Sequence, residues 1–466
     1  MAAEGLRHQG PAVTSVARAA AIGVLGLLGL LYLEGCASHS EVLRPMRVAL
    51  DEGRPREALS LLNQVMGVKS DAELPANLDS DRSLYVLDRG SVQQSVAQFA
   101  ASRRDLEAAD KAVDYLDIAH DAGDTIGEYV FSGSSGRYRA PPHEKLLINT
   151  LDMLNYLETR DLDGARVEAR RLAVMQTYIK DDLHEGDSSV LGLGAFLAGF
   201  VFEKSGRPDE ALRWYDQALE FAGYRSLRGP VQSLLALGQY RTPRLTELQT
   251  AGPPLPSLED ADQGEIVFVV GYGRVPPKIP RRIPIGLALT LYSGAISPEN
   301  AALANRMALQ GLVTWINFPS LARGEDDVAF DVPVATVDGG PVQLEQAVDV
   351  SREVRAEWKK IEGRIIASAI TRLAVRYAAG TAVDIAAGSH SLLGALLSLG
   401  TQATLTALDT PDTRSWETLP ARVAIARVRV PAGHHLIRLD ARGVVRNAQV
   451  DVARGGWAVV SLMGLR

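Results

Sequence analysis

Polar and apolar positions along the chain fall into three regimes. The first is an unbroken apolar run from Ala19 to Leu33, preceded by Arg7 and Arg18 and closed by Glu34 and Gly35. At about fifteen residues it is short for a hydrocarbon core of roughly 30 Å and suits the apolar stretch of a secretory signal. The second regime has helical periodicity: Gly53-Arg54-Pro55-Arg56-Glu57-Ala58-Leu59 returns almost unchanged as Gly206-Arg207-Pro208-Asp209-Glu210-Ala211-Leu212. Weaker copies centre on Ala165, with Tyr156 on its first helix, and on Ala109, with Arg104-Asp105-Leu106-Glu107 at the turn. Four helix pairs are predicted over 36–240. The third regime follows a Thr-, Pro- and Gly-rich acidic stretch at 241–263 that reads as a linker.

Beyond that linker, Glu265–Val270 is a short β-branched strand, and further strands are predicted near Val313–Phe318 and Val328–Val337. Ser297 and Pro298 open a helix to about Gln310. Gln343–Ala378 reads as a long helix, continued over Ala379–Leu408 in small and apolar residues that pack on a sheet rather than enter a membrane. Val423–Val430, His435–Leu439, Val444–Val452 and Trp457–Leu462 alternate as antiparallel strands. The expected architecture is a multidomain α+β chain: a signal over 1–35, a helical solenoid over 36–240, a linker over 241–263, and a mixed domain over 264–466 ending in antiparallel strands.

The end of the apolar run resembles a bacterial lipobox, with Leu33, Gly35 and then Cys36, the only cysteine. In that group of signals the thiol takes a diacylglycerol, the preceding peptide is removed, and the new amine is acylated. Such chains hold a protein on a membrane by about 0.8 kcal/mol per buried methylene. Ala37 in place of Asp favours, by the same resemblance, the outer membrane with the body facing the periplasm. No other cofactor is implied.

The helical copies resemble tetratricopeptide repeats: around the last one Gly199 and Phe202 precede the turn and Tyr215, Ala218 and Leu219 follow it. In a frame of about 34 residues the copies are interrupted at Asp124–Lys145 and Lys180–Leu191, insertions expected to share one edge. The Tyr-bearing loop around Tyr138 and Arg139, the helix with Leu154-Asn155-Tyr156-Leu157, and Ala165-Arg166-Val167-Glu168-Ala169-Arg170-Arg171 together resemble a family of repeat-containing bacterial lipoproteins. So does Asp412-Thr413-Arg414-Ser415-Trp416 near the C-terminus. That resemblance implies a scaffold for proteins of the cell envelope, with control of a peptidoglycan-synthesising enzyme as the alternative.

Composition narrows the field further. With 46% apolar residues the chain can bury a large core, and a net charge of -7 argues against a nucleic-acid partner. A His-Glu-x-x-His motif, a Gly-x-Ser-x-Gly motif, a phosphate loop and a Glu-Ser pair are absent from the sequence, so no enzyme is expected. Gly271-Tyr272-Gly273 follows a strand, but Pro276 and Pro277 prevent a helix from starting there, and a tight turn is predicted instead. His434 and His435 are adjacent on a strand and point to opposite faces, which disfavours a shared metal.

Two clusters are candidates for partner contacts. On one helix Glu168 stands among Arg166, Arg170 and Arg171, a set that either forms local ion pairs or receives a carboxylate, with Tyr138 and Arg139 to close over it. Near the C-terminus Trp416 beside Arg414 either fills a sheet edge or anchors a partner.

Overall fold

The computed structural model describes residues 37–466 apart from 79–80, 113–137, 139, 182–187, 254–255, 259–261, 292–297, 299–300, 303–304, 306–314, 324–331 and 387–409. Only the backbone is described for Leu291 and 373–386. Cys36, Arg139, most of the first insertion, half of the second and most of the helix expected after Ser297 lie outside the described residues.

Among the described residues, eight helices form four pairs: α1 (His39–Asp51) with α2 (Pro55–Met66), α3 (Asp81–Ser95) with α4 (Phe99–Ala112), α5 (Pro142–Glu158) with α6 (Leu162–Asp181), and α7 (Leu191–Lys204) with α8 (Pro208–Phe221). All four turns share one geometry. The first helix ends on a residue in the left-handed region, at Gly53, Ala97, Arg160 and Gly206, with φ of 72°, 60°, 58° and 70°. Its N–H bonds back to the carbonyl three residues earlier, and the next N–H reaches five residues back, for example Gly53 to Leu50 and Arg54 to Ala49. This pair of bonds satisfies carbonyls that the helix end would otherwise leave open. Five residues past each left-handed position a small side chain is fully buried: Ala58, Ser102, Ala165 and Ala211.

The second turn is therefore Val96-Ala97-Gln98, and Arg104–Glu107, expected at a turn, lies inside α4. The motif was hidden because Ala97 replaces glycine and Phe99 replaces proline. Asp105 is instead a buried partner of Arg89, at 2.6 Å. Alanine in the left-handed region carries a steric cost that glycine avoids. Ala97→Gly is expected to raise stability by about 0.5 to 1 kcal/mol. A denaturant midpoint that falls in this variant would contradict the assignment.

Successive pairs stack, α2 on α3, α4 on α5, and both α5 and α6 on α7. Close approach within the last pair depends on Gly199, where an added Cβ would lie 2.4 Å from the Tyr215 ring. Two short helices follow, α9 (Arg228–Leu237) and α10 (Pro243–Thr250). The helix α10, capped by the Thr242 hydroxyl, occupies part of the stretch read as a linker.

Among the described residues the remainder is built on three sheets. The first has the order β10-β1-β7-β6, with β1 (Gln263–Arg274), β6 (Glu345–Asp349), β7 (Pro420–Pro431) and β10 (Trp457–Gly464). In it β1 pairs antiparallel with β7 but parallel with β10, a departure from the purely antiparallel ending expected. The strand β1 runs through Gly271-Tyr272-Gly273, where a turn was expected, because Gly271 lets Pro420 and Met463 approach to within 3 Å of where a Cβ would stand.

The other sheets pair β2 (Lys278–Pro284) with β3 (Trp315–Leu321), and order β5-β4-β8-β9, with β4 (Val334–Val337), β5 (Gly340–Val342), β8 (Gly433–Ala441) and β9 (Val444–Val452). A short helix, α11 (Ile285–Leu291), and the long α12 (Val350–Ala386) complete the described elements. The helix expected from Gln343 begins only at Val350, since Glu345–Asp349 pairs as β6. The part of Ala379–Leu408 beyond Ala386 lies outside the described residues, and no described helix is long and apolar enough to cross a membrane.

Strand alternation explains the layering. Val267 and Val269 of β1 and Val423 and Ile425 of β7 face the helices and join their core. Ile266, Phe268 and Val270 face the other way, onto Ile437 and Leu439 of β8. The central sheet is thus buried on both faces, between the helix pairs and the sheet β5-β4-β8-β9.

Candidate functional site: a helical row that grips a C-terminal segment

The first helices of the first three pairs, α1, α3 and α5, carry polar groups on their buried sides, and several of these converge on residues 412–418. The free N–H of Ser40, in the first turn of α1, donates to the Thr413 hydroxyl at 3.0 Å. From α3, Asp88 accepts the Thr418 N–H at 2.9 Å and its hydroxyl at 2.8 Å, while Ser91 Oγ accepts the Trp416 indole N–H at 3.0 Å. From α5, Glu144 accepts the Trp416 N–H at 3.0 Å and the Tyr138 hydroxyl at 2.5 Å. Arg47 of α1 pairs with Glu417. Arg414 is held in a two-pronged bond to Asp412, at 2.8 and 2.7 Å, and its guanidinium stands 6.0 Å from the centre of the Tyr138 ring.

The structure brings Tyr138, Arg414 and Trp416 together, but inside the protein. Trp416 is fully buried and Arg414 only 3% exposed, so neither can anchor a partner, which corrects the expectation of an exposed contact. Burial raises the carboxyl of Asp88 well above its ordinary range, and Glu417 adds to the effect against the pull of Thr418. The Glu417 carboxyl is raised for the same leading reason, with Arg47 and His39 opposing. A protonated Asp88 fits its one side-chain oxygen that has no hydrogen-bond partner among the described residues.

The cluster on α6 is separate. Glu168 is buried, accepting from Asn149 at 3.1 Å and from Arg171 at 2.9 Å. Arg166 pairs with Asp163 on its own helix, at 2.5 Å, and Arg170 is exposed. Around Glu168 stand Asp152, Asp110 and Glu107, so the surroundings are acidic rather than the ring of guanidiniums expected for receiving a carboxylate. Burial, then Glu168 and Glu107, push the Asp152 carboxyl up to about 8. Burial likewise lifts Glu168 to about 7 although Arg171 and Asn149 oppose it.

Sequence reasoning missed Asp88, Ser91, Glu144 and Asp152. Their signal was polar residues on the buried stripe of otherwise apolar helices, where a partner is needed for each. Residues 434–435 hold no shared site: His435 bonds Asp338 at 2.7 Å and the Pro431 carbonyl at 2.8 Å, while His434 lies against Asp451. Among the described residues no group of three or more His, Cys, Asp or Glu is placed to hold a metal. No protein-family model matches the sequence, and neither the curated proteins nor the solved structures contain a match to it.

Proposed function

We propose that the chain is a lipoprotein of the bacterial outer membrane, held through diacylglycerol on Cys36, whose tetratricopeptide-like helix pairs serve as a scaffold for a protein of the cell envelope. The repeated turn and the small residue buried five positions beyond it support the repeat reading. Because α1, α3 and α5 are occupied by residues 412–418 and α7 packs on Trp457 of β10, the partner surface belongs on the second helices.

The observation that carries this role is the outer face of α6. Val167 and Val174, 46% and 65% exposed, lie seven residues apart on one face with Arg170 and Arg171 between them. An apolar pair framed by guanidiniums suits a partner segment with apolar and acidic side chains. The double variant Val174→Asp, Arg170→Glu is expected to lose partner recovery from crosslinked membranes while its melting temperature stays at the wild-type value. Cys36→Ser is expected to abolish labelling by a palmitate analogue. Undiminished recovery would dismiss the α6 surface, and undiminished labelling would dismiss the anchor.

A further inference from the structure

The fold begins almost at the proposed lipid. Ser38 is buried at the start of α1, its N–H and its hydroxyl both donating to the Glu41 carboxylate at 2.8 Å. Only Ala37 separates it from Cys36, so a diacylglycerol on that thiol stays within roughly 10 Å of the helix start. Whatever surrounds this end of α1 therefore lies at the membrane. Ser40 donates to Thr413 at 3.0 Å, and Lys278, the first residue of β2, donates to the Arg414 carbonyl next in the chain, also at 3.0 Å. The helix α1 itself packs on β2. We propose that the β2–β3 ribbon is a second membrane contact, resting by one face in the phospholipid headgroup layer beside the anchor.

Strand pairing gives the ribbon two unlike faces. Ile283 of β2, with Ile316 and Phe318 of β3, joins a core with Ala288 of α11 and with Ile366 and Ile370 of α12. The other face carries Arg282 and Pro284, which pair across with Asn317 and Trp315. Arg282 and Pro284 are exposed, and so is Trp315, at 41%. Leu287 of α11, three residues beyond Pro284, is 46% exposed. The Arg282 guanidinium stands 5.5 Å from the centre of the Trp315 ring. From Lys278 the ribbon runs about 20 Å to this end, at roughly 3.4 Å per residue.

Position and chemistry choose a bilayer as the occupant. An exposed indole beside an exposed leucine is unfavourable in water but suits the membrane interface, where indole rings concentrate. A guanidinium stacked on the ring lays its stem along apolar groups and keeps its fork for a lipid phosphate. Addition of a strand from a protein partner is disfavoured, because Pro280, Pro284 and Pro319 remove N–H donors from the ribbon. A lipid chain gains firmness from a second membrane signal, and two points of contact also fix the orientation of the body. The nearness of the membrane rests on the Cys36 anchor; the interfacial character of the ribbon face does not.

The test is tryptophan fluorescence of the full chain reconstituted into vesicles of phosphatidylethanolamine and phosphatidylglycerol, some of whose acyl chains are brominated near the headgroup and quench only indoles at that depth. The chain has five tryptophans, so Trp315→Ser isolates the ribbon. The quenched fraction is expected to be about twofold or more larger in wild type than in Trp315→Ser, and to fall in the double variant Arg281→Glu, Arg282→Glu. If Trp315→Ser does not fold, Leu287→Asp, which keeps every tryptophan, is expected to lower the fraction by the same factor. Quenching is scored on chain that floats with the vesicles, and palmitate labelling at Cys36 is scored separately. Labelled, floating chain with equal quenching in wild type and variants overturns the surface and leaves the anchor standing. Unlabelled chain that floats with Trp315-dependent quenching overturns the anchor and keeps the surface, and chain that does not float overturns both.

Discussion

Arg427→Met is expected to lower folding stability by about 3 to 5 kcal/mol, the cost of breaking a buried ion cluster from one side. Arg427 projects from β7 into the seam between sheet and helices, with its side chain 3% exposed. It grips Glu203 at the end of α7 at 2.9 and 2.5 Å, Glu265 of β1 at 2.7 and 2.8 Å, and the Tyr215 hydroxyl at 2.9 Å. Lys204 also pairs with both carboxylates. Methionine keeps most of the stem's volume but leaves two buried acids to one ammonium. Against burial, which raises it, Arg427 and Lys204 hold the Glu203 carboxyl far below its ordinary range. Its contribution is therefore present above the ordinary carboxylate pKa of about 4 and is lost as pH falls through the folded value.

In the variant the sign reverses, because burial then dominates and protonation relieves the strain. The deficit should be larger at pH 7 than at pH 5. Urea denaturation at both values checks this, and a loss under about 1 kcal/mol at pH 7 would show that the cluster does not join the two halves.

Wild-type stability is expected to fall as pH rises from about 5 to 8, the opposite of an ordinary acid-labile protein. Asp152, raised to about 8, and Glu168, raised to about 7, bind protons in the folded state that the unfolded chain has already released. Their stabilisation is complete below the unfolded values near 4 and disappears as pH passes the folded ones, at up to about 1.4 kcal/mol per unit for each group. The raised carboxyls of Asp88 and Glu417 act in the same direction. Together these give a decline of a few kcal/mol, with Asp152→Asn flattening it because asparagine keeps the site neutral at every pH. A level profile between pH 5 and 8, or an unchanged slope in Asp152→Asn, would refute the buried, protonated pair.

Much of the fold was legible because local patterns and tertiary contacts agree. The first and last helix pairs carry Gly53 and Gly206 where the backbone needs positive φ, with Pro55 and Pro208 opening the next helix. The strand at Val444–Val452 alternates because it has two unlike faces, one of them exposed. The second pair was misplaced because its turn uses Ala97, which carries no sequence signature. The start of α12 was misplaced because strand pairing with β7 overrides helical propensity over Glu345–Asp349.

The candidate sites were less legible, since a site is defined by which distant side chains meet. By itself the sequence determined the α+β class and the glycine-and-proline turns of the first and last helix pairs, properties set by neighbours a few positions apart. Tertiary structure alone decided that Trp416 is core rather than anchor, that Glu168 sits among acids rather than guanidiniums, and that the β2–β3 ribbon starts beside α1. The physical reason is that burial and Coulomb fields depend on distances in space, and residues such as Arg47 and Glu417 are brought together only by folding.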